Sequence, residues 1–426
     1  MNYKNDYRIL GKSKLVSNNT RETKLNNNDL IVGSSGSGKT GGYVIPNILQ
    51  SQSSMIIADT KSNLCKKLSQ NLIKRGYEVF TVDFVNPEKS CSYNPLDYVR
   101  YNAKLKKFNE QDILSIAYTL APNSAFDDAF WTASARTVIA CLISYVLEAF
   151  DDCDKNLTSV LEVFRAVSCS DCVSKGYISF LEKWKIRHPD SFSVKKYEMF
   201  KSVLTCDKTW GCIVQFVSTA LDLFDFDEAR EMFSGKNAVN IKDLGKKKCA
   251  LFLNISDTDR TLDKLVNIFY TQAFQTLCEE ADNNDKGRLN VPVRIFLDDF
   301  ATNTYIPNFE KLISVIRSRE ISVSIILQSL TQLETIYTKS QAITIVNNCD
   351  HLIYLGSNDL ETAEYIATRV CKSPENILCM PTDEIYLLCR GKKGECLEKI
   401  APYSTQIVQE QSVLYSNTEI NHEIHL

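Results

Sequence analysis

Long apolar runs are missing from this 426-residue sequence. The most apolar stretches, Thr137–Phe150 and Cys212–Phe224, last about 13 or 14 residues and carry polar breaks, whereas a spanning helix needs ~20. The expectation is a chain without a transmembrane helix. The opening residues, Met1 to Arg8, hold no apolar core of a secretory signal. A charge excess of one sign is also missing: 49 Lys and Arg face 52 Asp and Glu, a net of −3. That excludes a surface that coats polyanions everywhere. Internal repeats are absent. Cysteine is plentiful, at 15, but zinc-site spacing is not. Cys169 and Cys172 form one C-x-x-C with no second pair behind it, and a structural zinc needs four ligands. The thiols read as reduced and mostly packed as small hydrophobes.

What is there is ordinary globular material, 44% hydrophobic and 24% charged. It excludes disorder, a coiled coil and a collagen-like rod, and it fills about three domains of ~150 residues. The lead-in is polar, Asn-rich and locally basic, with Lys4, Arg8, Lys12, Lys14, Arg21 and Lys24. It reads as a solvated arm, or as one that touches nucleic acid or an anionic membrane face. Strand and helix patterns then alternate: strands at Asp29–Val32, Ser54–Ala58 and Tyr77–Val82, with helices to Gln50 and over Lys61–Arg75. From Asn102 to about Lys236 the periodicity is helical, as in Phe130-Trp131, Val138-Ile139, Leu142-Ile143 and Val146-Leu147. Alternation resumes with strands at Cys249–Ile255, Pro292–Leu297, Ile321–Leu327 and His351–Leu355. Helices are expected at Leu262–Glu280, Asn308–Arg319 and Asp359–Val370. The fold class is therefore α/β, a mostly parallel sheet interrupted by an all-α insertion. The expected divisions are a polar arm over 1–25, a nucleotide-binding domain in parts over 26–101 and 237–405, an all-α domain over 102–236, and a polar tail over 406–426.

Gly33, Ser34, Ser35, Gly36, Ser37, Gly38, Lys39 and Thr40 fit G-x-x-x-x-G-K-[ST] between the run Leu30-Ile31-Val32 and a helix. That context makes the motif a phosphate cradle. Its glycines let backbone N–H groups close on phosphates, and the helix N-terminus adds about half a positive charge. Lys39 can reach the β- and γ-phosphates of ATP, and the Thr40 hydroxyl can ligate Mg²⁺. Such a cradle needs a carboxylate at a neighbouring strand end, and Arg294-Ile-Phe-Leu-Asp298-Asp299 supplies two. Asp298 would hold Mg²⁺ through water, and Asp299 would polarise the attacking water. Gln328, after the run Val323–Leu327, can orient water or simply cap a turn. Arg317 and Arg319 end the preceding helix. Either complements the helix dipole or serves as a finger for a neighbour's γ-phosphate.

With these motifs the chain resembles the type IV secretion coupling proteins, the TraG/VirD-type conjugative DNA-transfer ATPases. The likeness runs from about Asn26 to Tyr403. It is carried by Lys39-Thr40 leading to Val44-Ile-Pro46-Asn47-Ile-Leu, Asp59-Thr-Lys61, Tyr93-Asn94-Pro95, and Asp128-Ala-Phe130-Trp131. Leu297-Asp298-Asp299-Phe300-Ala301, Gln328-Ser329-Leu330-Thr-Gln332-Leu333, and Asn348-Cys-Asp350 with Gly356-Ser-Asn358-Asp359 continue it. The resemblance implies a RecA-like motor domain with an all-α domain, assembled as a homo-hexamer around single- or double-stranded DNA. It implies ATP hydrolysis that moves a relaxase-bound strand into the secretion channel. Lys39, Asp298, Asp299, Arg317 and Gln328 would be the catalytic set, with Thr40 and Asp298 on Mg²⁺.

Three departures qualify the resemblance. The family usually begins with membrane-spanning helices, and none is expected here. The chain is then a cytoplasmic variant, recruited to the inner face of the membrane by membrane-bound secretion components, or one whose N-terminus has been lost. Asp-Asp replaces Asp-Glu, shortening the base's reach by roughly 1.3–1.5 Å against a hydrogen-bond window of about 2.6–3.2 Å. Asp59-Thr-Lys61-Ser-Asn63 replaces the usual Asp-Pro-Lys-Gly-Glu. Two other readings stand beside a DNA pump: an ATP-binding adaptor with weak or no hydrolysis, and a chromosomal DNA translocase of the FtsK/HerA kind. No DNA-binding motif is visible. Lys236, Lys242 and Lys246 to Lys248, like Lys104, Lys106 and Lys107, read as solvated faces before DNA contacts.

Overall fold

The computed structural model describes residues 6–122, 129–169, 175–233, 237–300 and 304–400. The expected tail over 406–426, Cys172 of the C-x-x-C, and Asp128, Ala301 and Lys236 lie outside the described residues. The chain folds as two compact units, one of residues 1–85, 240–260 and 273–426, the other of 86–239 and 261–272. The helical unit thus begins at 86 where the sequence suggested 102, and it also takes in 261–272.

Strands are numbered in chain order. The first unit contains β1 (Tyr7–Gly11), β2 (Lys14–Ser17), β3 (Asp29–Val32), β4 (Ser54–Asp59) and β5 (Glu78–Asp83). A small hairpin of the second unit supplies β6 (Tyr101–Asn102) and β7 (Lys107–Phe108). Back in the first unit come β8 (Cys249–Asn254), β9 (Val293–Leu297), β10 (Ile321–Leu327), β11 (His351–Tyr354), β12 (Glu384–Cys389) and β13 (Glu395–Glu398). Nine of them form one sheet in the order β13-β12-β11-β3-β10-β9-β4-β8-β5. Neighbours from β11 to β5 run parallel, and β12 and β13 add an antiparallel edge.

Strands β3, β4, β8 and β9 are buried at every residue, the signature of a parallel sheet covered on both faces. On one face Val44, Ile45 and Ile48 meet Ile31, Phe296, Ile326 and Ile353, with Leu64, Leu68 and Leu72 alongside. On the other, Phe274, Phe300 and Phe309 pack together, Phe309 lying 5.9 Å from Phe274 and 5.2 Å from Phe300 between ring centres. The predicted strand–helix alternation is therefore present, and the edge pair β12–β13 is an addition.

The lead-in is not a solvated arm. β1 and β2 form an antiparallel hairpin, and Ile9, Leu10 and Arg8 are each only 2% exposed. Asn47 of the Pro46-Asn47 motif clamps it: its Oδ1 accepts from Ile9 N and its Nδ2 donates to Ile9 O, both at 2.8 Å. The arm looked solvated because its polar side chains find partners inside the fold.

In the second unit, the helix Ala129–Ala149 packs against helices Phe192–Phe200, Asp207–Leu221, Glu110–Leu120 and Leu157–Val167. It is long and apolar enough, by length and composition alone, to cross a membrane. It starts well before the apolar run Thr137–Phe150. Thr132, Ser134 and Arg136 lie within the helix. Most of its apolar window is buried, Val138 to Ile143 entirely so, as in the core helix of a globular unit. Tyr93 anchors the unit's other end, donating its hydroxyl to Gln272 Oε1 at 2.6 Å, while Gln272 Nε2 donates to Pro95 O at 2.8 Å.

Candidate functional site

The loop from Gly33 to Thr40 leaves the C-terminal end of β3, and local chemistry dictates its path. Gly36 and Gly38 adopt φ of +77° and +91°, a region that L side chains rarely enter. Gly33 is required for space instead, since a Cβ there would stand 2.5 Å from Ser37 Oγ and 3.0 Å from Leu355 Cβ. The loop is hung from its neighbours. Gly33 N donates to Leu327 O at 3.1 Å, and Ser34 N donates to Gly356 O at 2.8 Å. Gly356 can offer that carbonyl because it sits at φ +97°. The helix then opens with a π-wound turn, Thr40–Val44, before continuing as Ile45–Gln50. Such turns are rare and concentrate at functional sites.

The Lys39 ammonium donates to Gly33 O at 2.6 Å and to Ser34 O at 3.0 Å. It is held where the loop's own carbonyls stand in for an anion. Burial lowers its pKa, and Asp299 and Asp298 oppose that shift. Across β10, which separates β3 from β9 in the sheet, the Thr40 hydroxyl donates to Asp298 Oδ2 at 3.2 Å. Asp298 is only 8% exposed. Burial, and then the neighbouring Asp299, pushes its carboxyl up to about 6. Asp299 follows in the left-handed region at φ +48°, and its N–H turns back to Asp298 Oδ1 at 3.2 Å. Ser37 Oγ is buried without a hydrogen-bond partner, an orphaned donor inside a loop of amides. These groups fit a phosphate chain with a divalent cation: amides and an ammonium for the anion, a hydroxyl and a carboxylate for the metal.

Other expected residues lie nearby or elsewhere. Gln328 is half-buried at the C-terminal end of β10, and its N–H donates to Gln332 Oε1 at 2.8 Å. Arg317 is not near the loop. It precedes β10, so the seven residues of that strand, about 23 Å at ~3.3 Å each, separate it from Gln328. It is exposed, and its Nη2 reaches Thr20 O at 3.4 Å. Arg319 forms a bidentate pair with Asp282 at 2.8 and 2.9 Å. Asp59 caps the helix Leu64–Lys74, accepting from Asn63 N and Cys65 N at 3.0 Å each. Sequence reasoning missed Gly356 as a support of the loop, although a glycine directly after a strand was the visible signal. Lys247 pairs with Glu78 at 2.7 Å and Lys246 with Glu280 at 3.5 Å, so part of that basic run is already neutralised. Among the described residues no group of three or more His, Cys, Asp or Glu could hold a metal ion.

A sequence model of the family described as type IV secretory system conjugative DNA transfer matches residues 5–373. The chain belongs to that family. Among solved structures, it is similar to the bacterial conjugative coupling protein TrwBdeltaN70 in complex with sulphate. That match has a TM-score of 0.63 at 14% identity and covers 89% of this chain and 87% of that one. It is similar to the plasmid coupling protein TrwB in complex with ADP and Mg²⁺, at TM-score 0.60 and 13% identity, over 89% and 87% of the two chains. A third likeness is to VirB4 of Thermoanaerobacter pseudethanolicus, at TM-score 0.56 and 14% identity, over 94% and 98%. A search of curated protein sequences returns no match. At these identities the likeness to solved structures speaks for the fold, a RecA-like NTPase fold with a mostly parallel sheet and helical regions.

Proposed function

We propose that this conjugative-transfer family member is an ATP-dependent coupling protein. It recruits a relaxase-bound DNA strand, or a protein substrate, and helps pump it into a type IV secretion channel. The observation that carries the reading is the meeting of Thr40 with Asp298 beside Lys39 and Asp299 at the C-terminal ends of parallel strands. Ligands in open parallel sheets bind at that edge.

In this reading ATP is the substrate. The loop of Gly33, Ser34, Ser35, Gly36, Ser37 and Gly38 cradles its phosphates, with the N–H groups of Gly33, Ser34 and Ser37 bracing the loop on carbonyls, and Lys39 exchanges two loop carbonyls for phosphate oxygens. Thr40 and Asp298 are the side chains that would hold Mg²⁺, which when bound neutralises charge on the β- and γ-phosphates. Asp299 accepts the proton of the attacking water, and Gln328 orients that water. Arg317 stands far from its own chain's site, which suits a finger offered to the next subunit of a homo-hexamer. Double- or single-stranded DNA would pass through that ring. The protein would work at the inner face of the cell membrane, held by membrane-bound secretion components.

The test is steady-state ATP hydrolysis by the purified chain, with and without single-stranded DNA and with Lys39→Ala as blank. DNA-stimulated turnover that vanishes in the blank supports the motor. Tight ATP binding without turnover would instead favour an adaptor, the reading that the short reach of Asp299 suggests.

A further inference from the structure

At the opposite ends of the strands that carry the site, one buried carboxylate gathers groups from five elements. Asp29, the first residue of β3, is fully buried. Arg8 of β1 lies 2.9 Å from it, and Arg294 of β9 lies 3.3 Å from it. His351 of β11 approaches to 3.4 Å. The Tyr43 hydroxyl donates to Asp29 Oδ2 at 2.5 Å and stands 2.9 Å from Ser324 Oγ of β10, which accepts from Arg294 Nη1 at 3.0 Å.

The placement is regular. Asp29 lies four residues before Gly33, Arg294 four before Asp298, and Ser324 four before Gln328. Residues four apart on a strand share a face. Asp29 and Ser324 are register partners, as are Asp29 and His351. Tyr43 comes three residues after Thr40, inside the π-wound turn. Thus the side chain of this cluster on the loop's helix, Tyr43, is tied to each strand that ends in a site residue: to β3 and, through Asp29, to β9, and to β10 directly through Ser324. A buried ionic cluster is weak support for stability, since apolar packing of equal volume does as well. What it provides is geometry.

We propose that Tyr43 is a positioning residue for the nucleotide: its bond to Asp29, held by Arg8 and Arg294, sets the rotation of the helix that presents Lys39 and Thr40 to Asp298. The inference rests on the nucleotide-site reading above. It makes the N-terminal hairpin, through Arg8, part of the support of that site.

The experiment measures binding of N-methylanthraniloyl-ADP with Mg²⁺ to the full chain, alongside its nucleotide-free melting temperature. Tyr43→Phe keeps the ring and removes the hydroxyl. It should weaken the probe about tenfold, the scale of one charge-assisted hydrogen bond, while any fall in melting temperature leaves the protein fully folded at the assay temperature. Ser324→Ala should cost less, and the double variant no more than Tyr43→Phe alone, because both act through one hydroxyl. Should Tyr43→Phe fail to fold, Ser324→Ala carries the test, with a measurable loss of probe affinity expected at unchanged stability. Parent-like affinity in the folded variants, or a loss that only follows the folded fraction, overturns the proposal. Lys39→Ala separates the two readings. If the parent binds no better than Lys39→Ala, the nucleotide site itself is wrong and the proposal falls with it. If the parent binds, Lys39→Ala does not, and Tyr43→Phe binds normally, only the positioning role is wrong.

Discussion

Thr40 donates its hydroxyl to Asp298 Oδ2 at 3.2 Å, joining the end of the phosphate loop to the end of β9. The same carboxyl is held up at about 6 by burial and then by Asp299, so a proton and a divalent cation compete for it. Mg²⁺-dependent nucleotide binding should weaken as the pH falls through 6, by up to about tenfold for each further unit. Asp298→Asn should bind more weakly at neutral pH and lose that dependence. The linkage sign for folding is the reverse. A raised carboxyl contributes stability that is fully present below the unfolded value of about 4 and is lost as the pH rises through its folded value. Relative to Asp298→Asn, the nucleotide-free protein should therefore lose stability between about pH 4 and pH 6. Titration calorimetry and thermal melts across pH 4 to 8 read both.

Asp299 occupies the left-handed region at φ +48°, where Asp and Asn are enriched several-fold over other non-glycine residues. Asp299→Asn can therefore keep the backbone path and its N–H bond to Asp298 while removing the charge. The expected outcome is unchanged nucleotide affinity with turnover reduced by about 10²-fold or more, the usual worth of a general base. Turnover at the parent rate in a coupled ATPase assay would remove Asp299 from the reaction.

The two acids, the loop and the parallel strands were legible because each carries a local signature: glycines with Lys39-Thr40, apolar runs buried on both faces, acids at a strand end. The hairpin β1–β2 was not. Its residues Asp6, Arg8 and Asn18 are buried, yet they look solvated in a sequence, because their partners are distant. Arg8 pairs with Asp29 at 2.9 Å, and Asn18 Nδ2 donates to Asp6 at 2.6 Å. The helix Ala129–Ala149, by contrast, was legible from the apolar pairs Phe130-Trp131 to Val146-Leu147, even with Thr132 buried inside it. The edge strands β12 and β13 are joined by the short turn at 390–394 with no helix between them, and so fell outside the alternating pattern.

Arg317 lies at the start of β10 and the phosphate loop at the strands' far ends. In the proposed homo-hexamer its role in hydrolysis would be exerted on another subunit. Arg317→Ala should bind nucleotide like the parent yet lose assembled turnover. A mixture of Arg317→Ala with Lys39→Ala should recover part of the activity, because a functional site can form where an Arg317-bearing subunit faces an intact loop. Equal loss of binding and turnover in Arg317→Ala would show that it acts within its own chain.

Arg8 and Asp29 are 2% and 0% exposed in their side chains, whereas Lys12 in the hairpin's turn and Glu398 of β13, paired at 2.5 Å, are 64% and 70% exposed. Burial would raise the Asp29 carboxyl, but Arg8, His351 and Arg294 outweigh it and hold the pKa below the ordinary carboxylate range. Arg8→Ala removes the nearest guanidinium and leaves a buried charge short of a partner, which should cost about 3–5 kcal/mol of stability. Lys12→Ala removes an ion pair already dissolved in water, and the midpoint should not move measurably. The lowered carboxyl gives the pH sign. Its contribution is present above the unfolded value of about 4 and is lost as the pH falls through the folded one. The gap between the parent and Arg8→Ala in urea unfolding should therefore be largest at neutral pH and narrow in acid. A gap as small as that of Lys12→Ala would mean that the hairpin is held by Asn47 and apolar packing alone.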